Sequence, residues 1–503
     1  MGLANESLAR RSLIPDRVMP VAASAVIALS TLAVLLALPP FAAGWLVLGT
    51  GAVIAIVVYP FTALALMPFA VAYGSLVGLD LRGVHAGPTD LLVGGLLLAS
   101  VWRFVRRSPV AMRTPAVRIQ RGRAWISAVW RDNRTAVVVY IGLVAYLAAV
   151  MLSLLAATSR PQALKEVVKW AEVIVVVSAT LWLVRSVARV RLLAWLLIAS
   201  SISEAILGYI QWILARGDAG PGGADIRVFG TFAQPNPFAA YLNFGLILAL
   251  SLVIFGRDAR ERWLAGAAGA ITLGALVLAG SRGALLGLLA ALVIMLIVGF
   301  RLERPALIAA ATGVPVVLVA WFGHLIPSRI ETRLLESVRV ADLSTITSAN
   351  FSTQERLAHW VAGLRMFAAH PLIGVGAGNY NDAYSQYANV AIWPEALGQA
   401  HNYYINAAAE TGLVGLIAFL FLVATLLYAG WRASGGSLRA RRQRELGSRE
   451  VLTRAFAIGF LGILIAVCVH NLTDDLFVHA MELQIAMSVG CLIVLNVERQ
   501  RAK

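Results

Sequence analysis

Cysteine is nearly absent from this chain of 503 residues: Cys468 and Cys491 are its two, and both lie inside apolar runs. Thiols so placed offer neither a disulfide framework nor a metal-ligand spacing, and they read as small core residues. Charge is scarce as well, with 14% Asp, Glu, Lys and Arg against 59% hydrophobic residues. That balance excludes a water-soluble globule and describes a polytopic membrane protein. The sequence also lacks a nucleotide-binding motif, an internal repeat and a low-complexity tail. No carboxylate cluster suits Mg²⁺, which takes one or two carboxylates together with phosphate oxygens. Neither a metal nor a cofactor is expected.

Strict alternation of polar and apolar residues is missing too, which excludes a membrane β-barrel. The apolar runs are instead continuous and long enough to cross a hydrocarbon core as helices. Candidate spans lie near residues 18–38, 41–59, 61–79, 89–102, 135–157, 166–184, 191–214, 237–255, 262–280, 284–300, 305–323, 402–430, 454–472 and 480–497. The short spans bounded by Pro39, Pro60 and Pro68 are the weakest, because proline breaks or kinks a helix. The expected fold is an all-α polytopic bundle of about 12–14 transmembrane helices forming one membrane domain over residues 1–503. Arg10, Arg11 and Arg17 before the first run resemble a signal peptide. The run is too long for one and ends in Pro39-Pro40 without a cleavage signature, so a retained first helix is expected.

Arginine sets the orientation. The net charge of +16 sits in short segments between apolar runs, which points to topology rather than to a nucleic-acid partner. Nine arginines in 103–134, closing the N-terminal region 1–134, face the single acid Asp132, so this loop is expected in the cytoplasm. Counting spans onward puts the other basic loops on that side: Arg185 to Arg191, Arg257 to Arg262, Arg301 to Arg304, Arg432 to Arg454, and the tail with Arg499 and Arg501. Membrane lipids are the expected contacts of these loops. The opposite face then receives Arg160 and Lys165, FAQPNP, Ser281-Arg282-Gly283, the long segment 324–400, His401, and HNLTDD at 470–475. All seven histidines fall on or near it. An extracytoplasmic active site explains that asymmetry.

The segment 324–400 is too long for a plain connector and is expected to be partly helical. Residues 352–369 place Leu357, Trp360, Val361, Leu364 and Phe367 at helical spacing, with Ser352 or Thr353 as cap. His370-Pro371 ends that helix. Gly374, Gly376 and Gly378 follow, allowing a tight turn next to whatever is bound. Arg160, Lys165, Arg282 and Arg356 suit a diphosphate held directly by guanidinium forks and an ammonium. No nucleotide sugar is available outside a plasma membrane, so a glycosyl donor there carries its leaving group on a lipid. His401 is then placed to take a proton from an acceptor hydroxyl.

FAQPNPFAAYL, AGSRGALLGLL, QERLAHWVAGLRMFAAHPLIGVGAGNY and HNYYINAAAETGLVGLIAFL occur in that order over roughly residues 225–425. Together they resemble the O-antigen ligase and O-antigen polymerase superfamily of bacterial envelope glycosyltransferases. The resemblance implies an all-helical bundle of about a dozen helices in the bacterial inner membrane, with its site facing the periplasm. It implies inverting, metal-independent transfer of a glycan from undecaprenyl diphosphate to a hydroxyl. The acceptor is lipid A core in a ligase and a glycan in a polymerase, and a chain-length regulator or other envelope-assembly protein is a candidate partner. By position, His401 matches the family's general base, and Arg282 and Arg356 match its two diphosphate-binding arginines. Asn402, Glu410, Gln234 and Asn236 match recurrent polar positions that orient the histidine and the sugars. Arg160 and Lys165 match basic residues near the lipid phosphate more loosely.

Duller roles stand beside these. A terminal arginine such as Arg282 is commonly a snorkelling anchor, and Arg356 has Glu355 as a neighbour on a solvated face. His324, His359, His370 and His479 read as surface or loop histidines. His470 with Asp474 and Asp475 reads as turn chemistry at a helix end. Tyr380, Tyr384, Tyr387 and Trp393 read as interfacial aromatics that need no sugar to explain them. A lipid-linked oligosaccharide transporter is the rival class, kept open by Glu166, Lys169 and Glu172 in the sixth span. Transport predicts polar groups near the midplane of several helices, whereas here they gather at one interface.

Overall fold

The computed structural model describes residues 50–51, 53–76, 79–81, 84–106, 133–214, 218–219, 226–300, 351–388, 393, 396, 398–435 and 447–501. Expectations for the span at 18–38, most of that at 41–59, the loop 107–132, the span at 305–323 and His324 lie outside these residues. The chain divides into two units, residues 1–59 and 60–503. The first is described over short helical stretches at 50–51 and 53–58. The second holds everything that follows.

Among the described residues, thirteen helices of this unit carry the fold: α1 (Phe61–Tyr73), α2 (Pro88–Arg106), α3 (Arg134–Ser153), α4 (Arg160–Leu183), α5 (Val187–Ile213), α6 (Pro235–Phe255), α7 (Ala259–Ala279), α8 (Arg282–Phe300), α9 (Phe351–Ala369), α10 (Tyr380–Tyr387), α11 (Tyr403–Ser434), α12 (Ser448–His470) and α13 (Met481–Arg501). Two small antiparallel hairpins, β1 (Leu79–Leu81) with β2 (Val84–Ala86) and β3 (Asp218–Ala219) with β4 (Ile226–Arg227), are the strands among the described residues. The protein is an all-α multi-pass membrane protein. Eight of the described helices, α3, α5, α6, α7, α8, α11, α12 and α13, are long and apolar enough to span. The expected span at 61–79 is shorter than its apolar run, since α1 ends at Tyr73 and passes through a 3₁₀ turn into the first hairpin.

Burial sorts the helices. The most apolar window of α13 is 89% buried, and those of α6 and α12 are 78% buried, so these three form the centre. α6 packs between α5, α7 and α12, α4 runs along α13, and α11 lies against α3. Helices hydrophobic all round belong in such a centre, where neighbouring helices replace lipid. Close approach needs small residues. A Cβ on Gly245 of α6 would stand 2.4 Å from Ser201 Oγ of α5.

Each end of the bundle has its own chemistry. Where Leu183, Phe255, Phe300 and Ser434 finish their helices, arginines satisfy terminal carbonyls. Arg454 donates to Val298 O and Gly299 O at 2.8 Å and to Ser434 O at 3.1 Å, and Arg499 donates to Arg432 O at 2.9 Å. Arg191 pairs with Glu261 at 2.9 Å on the same end. The basic residues there are helix caps and ties. The opposite end collects the starts of α4, α6, α8, α11 and α13, together with α9 and α10.

Candidate active site

α11 begins with a sharp reversal. His401 adopts φ +50°, a left-handed backbone that side chains other than glycine and a few polar ones avoid. Asn402 then caps the helix, its Oδ1 accepting from Tyr404 N at 3.0 Å and Ile405 N at 3.1 Å. The remaining Asn402 amide donates to Leu472 O at 2.9 Å, and Tyr403 N donates to Asn471 O at 2.9 Å. The histidine is thereby fastened to the turn that follows α12.

That turn, residues 470–477, is the hub. Asn471 Oδ1 accepts from Leu476 N, Asp474 Oδ1 from Asp475 N and Asp475 Oδ1 from Phe477 N, at 2.7–2.9 Å. Turn chemistry is therefore present, as the sequence indicates, but the turn is buried and faces the histidine. Asp474 Oδ1 lies 3.6 Å from His401 Nδ1, an ion-pair distance not yet closed into a hydrogen bond. Asp474 Oδ2 accepts from Asn236 Nδ2 at 2.7 Å. Arg356 Nε donates to Thr473 O at 3.0 Å. Arg282 is exposed at the first position of α8, and its neighbour Gly283 is pressed against the same turn: a Cβ there would stand 2.4 Å from Thr473 Oγ1 and 2.5 Å from the His470 ring. The structure thus brings His401, Asn402, Asn236, Arg356 and the start of α8 around one turn. Asp474 is the residue that sequence reading undervalued.

Burial raises the Asp474 carboxyl, but the imidazoles of His401 and His470 and the Arg356 guanidinium outweigh it and hold the group below its ordinary value. Asp475 goes the other way. Burial prevails over the Lys169 ammonium and pushes it up to about 6. His359, expected at the surface, is instead 1% exposed, because its ring stacks on Tyr384 at 4.7 Å and meets His401 edge-on at 5.4 Å. Burial, helped by His401, lowers it to about 4 and keeps the ring neutral. Tyr380 and Tyr384 are buried floor beneath the histidines, with no face open to a sugar. The environment of His401 is therefore one fixed anion, one neutral ring and arginine at the rim.

The remaining candidates have other partners. Glu410 accepts from Tyr380 N at 3.0 Å and so holds the glycine loop rather than His401. The loop itself is explained by α11, which is broken at Gly412 (φ 64°, ψ −162°). Val375 N donates to Ala409 O and Gly376 N to Glu410 O at 2.9 Å, while Leu413 N donates to Pro371 O at 2.8 Å. The loop supplies the backbone partners that the break releases. Gly374 and Gly412 are needed because Cβ atoms there would stand 2.3 Å from Glu410 C and Leu372 C. These glycines turn tightly against the broken helix. Arg160 and Lys165 are exposed on the first turns of α4, whose preceding Ser159 N donates to Asn379 Oδ1 of this loop at 2.6 Å. Gln234 is exposed next to Asn236. These three lie at the same end but outside the His401 cluster. Among the described residues, no group of His, Cys, Asp and Glu is arranged to hold a metal.

A family model described as O-antigen ligase matches residues 267–420. Arg282, Arg356, His401, Asn402 and Glu410 lie inside that match, whereas Asn236 and Asp474 lie outside it. The chain is also 29% identical over 214 residues to the exopolysaccharide production protein ExoQ of Rhizobium meliloti (strain 1021), covering 40% of this chain and 46% of that protein. It thus spans about half the length of the curated relative it matches. The histidine and both arginines thus lie on an all-helical membrane bundle within a segment, residues 267–420, that is similar to the O-antigen ligase family.

Proposed function

We propose that the protein transfers a glycan from a polyprenyl diphosphate to an acceptor hydroxyl at the extracytoplasmic face of the inner membrane. The observation that carries this is the His401–Asp474–Asn236 array, anchored on the same turn as Arg356 and the start of α8. Asp474 favours the proton on Nδ1 of His401, which leaves Nε2 as the base. The acceptor O–H proton passes to Nε2, and the freed oxygen attacks the anomeric carbon from the face opposite the diphosphate. The C–O bond to the diphosphate breaks with its electron pair, giving inversion. Arg282 and Arg356 offset the charge that develops on the leaving oxygen, a role that needs no metal.

A ligase reading, with lipid A core as acceptor, follows the description of the family match. A polymerase reading, joining lipid-linked repeat units, is the alternative; the name of the Rhizobium relative says only that it takes part in exopolysaccharide production. His401→Ala and Arg282→Ala in the native host separate them by gel of the surface glycan. Free polymer accumulating on its carrier, with none on lipid A core, marks a ligase. Single units still attached, with long chains lost, mark a polymerase. Unchanged glycan in both variants refutes the site. Release of polyprenyl diphosphate by the purified protein separates either enzyme from a transporter.

A further inference from the structure

Arg227 lies in β4, and no sequence motif singles it out. It is half-buried, with Nη2 donating to Asn236 Oδ1 at 3.2 Å and Nε donating to Ala279 O at 3.0 Å. Ala279 closes α7, Gly280 follows at φ +59° as the helix cap, and Arg282 opens α8 two residues later. A Cβ on Gly280 would approach Arg227 Nε to 3.4 Å, so the guanidinium lies tight against this corner. Arg227 thus bridges the corner that presents Arg282 and the amide that holds Asp474.

An asparagine amide has two ends of nearly equal size, and either can face a given neighbour. Between a guanidinium and a carboxylate the choice disappears. Arginine only donates and an ionised carboxylate only accepts, so Oδ1 of Asn236 must face Arg227 and Nδ2 must face Asp474. With Asp474 Oδ2 occupied in this way, Oδ1 is the oxygen directed at His401. From this geometry we propose that Arg227 is a positioning residue for the transfer reaction, acting through Asn236 to fix the carboxylate that orients His401. Charged and titratable groups also facing this carboxylate are His470, Arg356 and Asp475, and none of them touches Asn236 in a described hydrogen bond.

The inference rests on the transfer reading above, and its test keeps the two apart. Purified variants are assayed for release of polyprenyl diphosphate from lipid-linked glycan extracted from host membranes. Arg227→Met is expected to lower kcat about 10- to 100-fold with KM nearly unchanged, the scale of a misplacement of about 1 Å at a reacting centre. Asn236→Ala should do the same, and the double variant should lose no more than the worse single one. Arg227→Lys should recover part of kcat, since an ammonium still donates to Asn236. Additive losses, a loss confined to KM, or an undiminished kcat in Arg227→Met would overturn the inference; a KM effect alone would mean that Arg227 touches the donor itself. Thermal unfolding of each variant identifies those that fail to fold, and Arg227→Lys then decides. Full turnover in His401→Ala would instead bring down the transfer reading.

Discussion

At φ +50°, His401 holds a backbone that costs about 1–3 kcal/mol for a residue other than glycine, and the cap, the Asn471 carbonyl and the Leu472 carbonyl keep it there. Such an outlier beside a buried carboxylate marks a side chain held for its direction. Asp474→Asn keeps the volume but presents an amide to Nδ1, so kcat is expected to fall about 100- to 10,000-fold, the range of a lost general-base arrangement, in the same turnover assay. pH acts through two further groups. The Asp474 carboxyl is lowered in the fold, so its contribution to stability is present above the ordinary value of 3.8 and is lost as pH falls through the lower folded value. His359 titrates at about 4 in the fold against 6.5 when free. Between those values the unfolded chain binds the extra proton, and stability declines as pH is lowered from 6.5 to 4. His359→Phe is expected to flatten that part of a thermal-unfolding profile, and an unchanged slope would count against the buried neutral ring.

Among the elements, α11 and the glycine loop form the part that local substitutions test best. Gly412→Ala and Gly374→Ala each force a side chain into a left-handed backbone and into backbone atoms of the partner segment, and each should cost well over about 2 kcal/mol. Gly398 is the internal control. Its φ is +77°, yet a Cβ there meets nothing within 4 Å, so Gly398→Ala carries the backbone cost alone, about 1–2 kcal/mol. Thermal unfolding in detergent should rank the three in that order. The elements were legible because their signals are local: continuous apolar runs gave the ends of α5, α6, α7 and α8 to within a few residues, and helical spacing gave α9. Glycine spacing likewise announced a tightly turning loop. What it approached was not legible, because the break at Gly412 and the carbonyls it frees belong to a segment some forty residues later. Asp474 was obscured for a similar reason. An Asn-Leu-Thr-Asp-Asp run has the composition of any helix-ending turn, and its distance from His401 exists only after α11 and α12 pack side by side.

For the whole molecule, the property on which the chemistry depends is that one end of the bundle carries the His401 cluster with its imidazoles and Asp474, while the other carries the arginine caps. Five contacts that join distant segments agree on this sorting: Asn236 to Asp474, Arg356 to Thr473 and Ser159 to Asn379 at one end, Arg454 to Val298 and Arg191 to Glu261 at the other. Helix polarity enforces it, since each span crosses between the ends and a single span inserted or lost would interchange everything beyond it. Under the proposed function, the positive-inside bias would put the arginine end in the cytoplasm and the His401 end outside. Thiol labelling of intact cells measures this directly. With Cys468 and Cys491 replaced by alanine, Ala233→Cys and Arg260→Cys each place one thiol at an exposed position, the first in the loop before α6 and the second on the first turn of α7. α6 alone separates them, about 30 Å of helix. A membrane-impermeant maleimide should therefore label Ala233→Cys in intact cells and label Arg260→Cys after permeabilisation. If the two label together, α6 does not cross the membrane. If they label in the reverse order, the site faces the cytosol, where a lipid-borne donor has no advantage over a nucleotide sugar and the proposed diphosphate-binding role of Arg282 and Arg356 loses its reason.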